Sequence, residues 1–210
     1  MAKLKGPLFS LGATQQIAKT LVYFPWKGLN VVREYVVPTN PDTDLQKAQR
    51  AKLRTMVAAV HTTQARAAQP LNSVDQTAYS ALASVKGFIM TWFNMVVKLG
   101  IDCLVDEKGY TIYCDGSVPF KGIADFRPRL VLEDDGVTRI ADGKFYLGTT
   151  RTNLIHSEAA QVTTGVVVEL TGTNGFSGLT AGTKYYWQFR PDEDDPCEGA
   201  DSGIYSAVAE

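Results

Sequence analysis

The sequence predicts an α+β chain, with a β-hairpin and an antiparallel helical hairpin in front and an all-β sandwich behind. Three observations carry that reading. Two β-rich runs in residues 21–37 are interrupted by Pro25-Trp26-Lys27-Gly28. Two stretches between residues 43 and 100 repeat apolar residues at helical spacing. After Gly100 the chain changes to short aromatic and β-branched runs separated by turn residues. At 210 residues it can bury one large core or two small ones, and two domains are expected, 1–122 and 123–210, with the boundary between Gly116 and Pro128.

Taken in order, the two runs of residues 21–37 form a hairpin because proline breaks the ladder and glycine permits a positive φ. Pro38 and Pro41 then end the second strand. A helix starts near Thr43, where Thr43-Asp44-Leu45-Gln46 has the capping-box pattern, or slightly earlier with Asn40 as cap and Pro41 as first helical residue. It runs to about Ala68. Leu45, Ala48, Leu53, Met56, Val57 and Val60 form its apolar stripe, and Lys47, Arg50, Lys52 and Arg54 leave a basic remainder.

Ser73-Val74-Asp75-Gln76 has the capping-box pattern again and opens a second helix that Gly100 ends. Ala78, Leu82, Val85, Ile89, Trp92, Val96 and Leu99 alternate spacings of four and three, the seam of a helix packed along another helix. The same seam, with Lys86, Asn94 and Lys98 inside residues 81–101, marks a buried helix and not a membrane span. Strands are expected at residues 110–113, 129–132, 144–147, 166–170, 185–189 and 204–208.

Charge and cysteine content narrow the function classes. The net charge of -1 conceals ten Lys/Arg up to Arg66 against Glu34, Asp42 and Asp44, so the front is basic and the back acidic. Such halves could attract each other between copies, and the basic helix could face phosphate. Without basic-aromatic interleaving, nucleic acid is the disfavoured partner. Cys103, Cys114 and Cys197 are odd in number and lack CxxC spacing, so neither a disulfide framework nor a zinc site is indicated. The first ten residues lack the long apolar run of a secretory signal.

Catalytic chemistry has thin support. His61 and His156 have no Cys or carboxylate at a recognised spacing, and GxSxG, HExxH, Walker-type and GxGxxG motifs are absent from the sequence. No enzyme activity and no cofactor are expected. Asp192, Glu193, Asp194, Asp195, Glu198 and Asp201 place six carboxylates before the last strand, off the EF-hand spacing. These could stay solvated, take Ca²⁺, or pair Asp192, Asp194 and Asp195 with Lys47, Arg50 and Arg54 of another subunit.

Leu179-Thr180-Ala181-Gly182-Thr183-Lys184-Tyr185 resembles the fibronectin type III pattern leading into strand F, with Ala181 where that family commonly has proline. There Tyr185 would return its hydroxyl to the preceding corner, while alternation sets Tyr185, Trp187 and Phe189 on one face and Tyr186, Gln188 and Arg190 on the other. Residues 144–150 resemble strand C and its turn. Val166, Val168 and Leu170 resemble the inward residues of strand E, and 202–209 resembles strand G. Strands A and B are expected at 129–132 and 137–141. Such a fold implies a binding or spacer module and no more.

Pro25-Trp26-Lys27-Gly28-Leu29-Asn30-Val31-Val32-Arg33-Glu34-Tyr35, then Pro38-Thr39-Asn40-Pro41-Asp42-Thr43 and Gln46-Lys47-Ala48-Gln49-Arg50, resembles structural proteins of tailed bacteriophages and prophages. The resemblance spans about the first 70 residues. It implies a virion component, synthesised in the host cytoplasm and placed in many copies on capsid, neck or tail beside other virion proteins. Tyr23 and Trp26 could anchor the hairpin arm on a neighbouring subunit. The competing reading is a non-viral extracellular adhesion or carbohydrate-binding module, and an enzyme accessory domain is least favoured.

Overall fold

The computed structural model describes residues 3–4, 13–17, 20–27, 29–37, 42–114, 126–134, 136, 140–163, 167–170 and 175–209. Among them the chain is α+β, with three helices and three four-stranded sheets. It divides into two compact units, Met1–Asp44 and Leu45–Glu210.

In the first unit, β1 (Lys3–Leu4), β2 (Ala13–Ile17), β3 (Leu21–Trp26) and β4 (Leu29–Glu34) pair in that order, each antiparallel to its neighbour. Pro25, expected to break the ladder, lies inside β3 opposite Asn30. It is tolerated because the pairing of β3 with β2 ends at Tyr23, so proline's missing N–H is not demanded on that side. Lys27, at φ 48°, makes the turn between Trp26 and Leu29. Pro38, Asn40 and Pro41 lie outside the described residues.

The second unit opens with α1 (Asp44–Gln64), α2 (Ser73–Val85) and α3 (Trp92–Val105). The single helix expected from residue 73 to 100 is two. Gly87 has φ 74°, its N–H donates to the Ser84 carbonyl, and that of Phe88 donates to the Ala83 carbonyl. This is a Schellman stop, which glycine permits because it lacks a Cβ. Ile89, expected in the seam, is 106% exposed. Thr91 then caps α3 by accepting from Asn94 N–H at 3.3 Å. Gly100 does not end a helix; it sits within α3, where a Cβ would lie 2.0 Å from Met56 Cε, so it lets α1 approach.

The cap of α2 is Asn72, one residue before the expected Ser73. Its Oδ1 accepts from Val74 and Asp75 N–H, and Asp75 Oδ2 accepts from Asn72 N–H at 2.9 Å. The helices that pack closely on one another are α2 and α3, the two halves of the expected second helix, and not the first helix and its successor.

Eight strands follow, β5 (Thr111–Cys114), β6 (Arg129–Asp134), β7 (Gly143–Gly148), β8 (His156–Ala159), β9 (Gln161–Thr163), β10 (Val167–Glu169), β11 (Lys184–Pro191) and β12 (Tyr205–Val208). They form two antiparallel sheets, β5-β6-β10-β9 and β12-β11-β7-β8. Of the expected strand at 137–141, Ile140 and Ala141 belong to no strand, and 137–139, like Val166, lie outside the described residues.

Alternation along β11 buries Tyr185, Trp187 and Phe189. Trp187 stacks on Tyr205 with centroids 4.5 Å apart and meets Phe126 at 6.0 Å and Phe145 at 5.9 Å. Leu130, Leu132 and Val168 of the other sheet belong to the same hydrophobic cluster, as do Met56, Tyr79, Leu82 and Met95 of the helices.

The expected boundary at 122/123 lies outside the described residues, and helices and strands on either side of it share this core. α2 is fastened to the strands by more than apolar packing. Ile204 N–H donates to the Ala78 carbonyl at 3.0 Å, Tyr113 N–H donates to Tyr79 Oη at 3.0 Å, and Tyr205 Oη donates to the buried Asp75 carboxylate at 3.0 Å. A Cβ on Gly203 would lie 2.7 Å from Ala78 Cβ, so only glycine allows this approach. The helices and these two sheets fall in one compact unit, Leu45–Glu210.

Candidate functional site

The expected interface residues fall into three different settings. Tyr23 and Trp26 both lie on β3, but an odd separation sends strand side chains to opposite faces. Tyr23 is buried and Trp26 is 59% exposed, so Trp26 alone is available to a partner. Lys47, Arg50 and Arg54 recur at three and four residues on α1, which puts them along one side, and all three are exposed.

The first half of α1 also keeps its apolar residues in solvent. Leu45 is 85% and Leu53 46% exposed, whereas Met56 and Val60, farther along the stripe, are buried. A recess of about 350 Å³ lies here, lined by Gln46, Gln49, Arg50, Leu53 and Ile101.

The acidic turn is not one uniform surface. Asp195, expected to face a partner, is 6% exposed; its Oδ2 accepts from Ala141 and Asp142 N–H at 2.8 and 2.9 Å, and its Oδ1 from Cys197 N–H at 2.7 Å. Its role is to tie the turn to the start of β7, which removes it from any intermolecular pairing. Asp192 is bound to Lys144, 3.3 Å away. Asp194 and Glu193 are exposed. The eight-residue β11 separates this turn from Lys184, about 23 Å at strand rise.

The outward face of β7 and β11 carries charge and aromatic rings, of which Tyr186 and Arg190 of β11 were expected on one face with Gln188, without a role. Arg190 lies over Tyr146 at 4.8 Å and donates from Nε to Gln188 Oε1 at 2.9 Å. Gln188 is 1% exposed, and its amide donates to the Ser202 carbonyl, which compensates that burial. At the other end of β11, Arg151 and Lys184 approach the same ring, Tyr186, at 5.5 and 5.6 Å. The alternation Tyr186-x-Gln188-x-Arg190 was the legible signal; Arg151 arrives from the turn after β7 and had none.

His61 is exposed with its ring 5.8 Å from Phe93, and His156 is exposed at the edge of a recess of about 390 Å³ with Ile155, Glu158, Phe176 and Tyr185. Cys103, Cys114 and Cys197 are buried thiols, none of them in a disulfide. Burial, reinforced by Asp102, pushes the Cys103 thiol up to about 11, so it is a poor nucleophile. Among the described residues no group of three His, Cys, Asp or Glu side chains is placed to hold a metal ion, and no helix is long and apolar enough to cross a membrane.

Comparison with protein families, with curated proteins and with solved structures finds no match.

Proposed function

We propose that this chain is a structural component of a tailed-phage virion that assembles in many copies, with its β-rich part a fibronectin III/immunoglobulin-like sandwich that serves as an interaction or display module. The observation that carries the module reading is strand order. Taking β5, β6, β10 and β9 as A, B, E and D, and β12, β11, β7 and β8 as G, F, C and C′, the sheets read ABED and GFCC′. Strand A then falls at 111–114 and B at 129–134, each one strand earlier than the sequence suggested.

Tyr185 at the start of F supports the same reading. Its ring is buried and its hydroxyl accepts from Thr180 N–H at 3.0 Å, the bond of a tyrosine corner. Assembly is supported by the uncovered Leu45 and Leu53, by exposed Trp26, and by the phage-like motifs of the first 70 residues. Capsid, neck and tail positions fit these features equally.

Mass spectrometry of purified particles from a producing host should find the protein at many copies per particle. Its absence from particles, with the protein present in the lysate, would sink the virion reading. The adhesion alternative draws on the His156–Glu158 recess, and specific glycan binding abolished by filling it with Ser177→Trp would favour that reading instead.

A further inference from the structure

The β12-β11-β7-β8 sheet is electrically polar along its strands. Because β7 runs antiparallel to β11, with Gly148 opposite Tyr186, the turn after β7 brings Arg151 to the same end as Lys184. Those two cations share one ring, Tyr186, at 5.5 and 5.6 Å, both are exposed, and neither has a carboxylate partner among the described residues. Two like charges converging on one ring repel, and the ring's negative face offsets this only in part. An anion seated between them would complete the site.

The opposite end carries the complement. Lys144 is spent on Asp192 and Arg190 is held by Tyr146 and Gln188. Glu193 and Asp194 are left exposed just beyond Pro191, without a cationic partner among the described residues. Asp195, tied to the start of β7, holds the turn in place. The anionic turn is thus preorganised rather than loose, which lowers the ordering cost of docking.

We propose that these two ends join copies of this chain head to tail, with Glu193 and Asp194 of one copy seated on Arg151 and Lys184 of the next. The occupant follows from charge complementarity. The recognised group must be anionic, and because each tyrosine ring is already covered by a cation, recognition runs through charge and not through stacking of a sugar or base. The chain itself supplies a matching carboxylate pair at a fixed distance on the same sheet. Donor and acceptor are different surfaces, so the contact is heterologous and propagates into a ring or filament rather than closing as a two-fold dimer. The basic side of the charge pairing thereby moves from α1 to the sheet.

This inference rests on the assembly reading, and the experiment separates the two. Light scattering of the full chain should show concentration-dependent oligomers at about 50 mM salt that dissociate at about 500 mM. The double variants Arg151→Glu/Lys184→Glu and Glu193→Lys/Asp194→Lys should each weaken self-association at least about tenfold while keeping wild-type circular dichroism. An equimolar mixture of the two should regain it, because the reversed turn then meets the reversed acceptor. If wild type is monomeric at low salt, or if the variants associate as well as wild type, the proposed contact is wrong. The virion reading meanwhile stands or falls on particle composition alone. Heparin or duplex DNA binding that depends on Arg151 and Lys184, without self-association, would likewise overturn the second-copy occupant in favour of a polyanion.

Discussion

Helices α1 and α2 carry similar apolar stripes and meet opposite fates. α2 is sealed: Ala78, Tyr79 and Leu82 are buried, Asp75 and Tyr79 reach strand residues, and Gly203 abuts its backbone. α1 is sealed only from Met56 onward, and Leu45 and Leu53 stand in solvent. Periodicity identifies which side of a helix is apolar, but the polar anchors reveal which side is committed within the chain. An apolar stripe left in solvent is where a partner should be sought.

Loss of the Asp75 anchor should weaken α2 most. Asp75→Ala deletes the acceptor of the Tyr205 hydroxyl and half of the capping box, and should cost about 3 kcal/mol. The urea midpoint measures it, and a loss below about 1 kcal/mol would mean that the Tyr205 bond and the cap contribute little to holding α2. Gly203→Ala forces a Cβ to within 2.7 Å of Ala78 Cβ and should cost about 2 kcal/mol by displacing α2. The change should appear in urea melts, and a neutral result would mean that the strand lead-in can slide.

Alkaline pH should loosen the same seam. Burial holds the Tyr79 and Tyr205 hydroxyls well above the ordinary 10.0, so the unfolded chain loses those protons first. Their contribution is intact below pH 10 and falls as pH rises beyond it toward the folded values, by up to about 1.4 kcal/mol per pH unit for each tyrosine. Urea midpoints compared at about pH 9 and about pH 11 test this. Tyr205→Phe should flatten the decline, and an unchanged slope would remove Tyr205 from the account.

The smallest effect on stability belongs to the bare half of α1. Leu45→Ser with Leu53→Ser should change stability by less than about 0.5 kcal/mol. A larger loss in the isolated chain would mean that this face is covered within one molecule, and would erase the contrast with α2.

Much of this was legible in local chemistry. The β11 alternation and the positions of six strands followed from spacing and turn residues, and the returning hydroxyl of Tyr185 from the resemblance of residues 179–185 to a fibronectin III strand lead-in. The break at Gly87 was masked because the four-three seam stays in phase across it, from Val85 to Trp92, so the periodicity ran on where the backbone did not. Gly87 and Thr91 make the stop and the start, single residues against a long apolar rhythm. The burial of Asp195 was hidden for another reason: its partners, Ala141 and Asp142, lie more than fifty residues away, and an acidic run gives no sign of which carboxylate turns inward. Arg151 was missed on the same ground, since only the fold brings it to Tyr186.

The bond between Asp75 and Tyr205 spans 130 residues. During synthesis α2 leaves the ribosome long before the segment that covers it, and its apolar side waits while both sheets are made. A truncated nascent chain would pack α2 on α3 but leave its Asp75 side open at every length short of β12. Closure of the seam is therefore a late event set by translation, at about 5–20 residues per second, and chaperone dependence should concentrate in that interval.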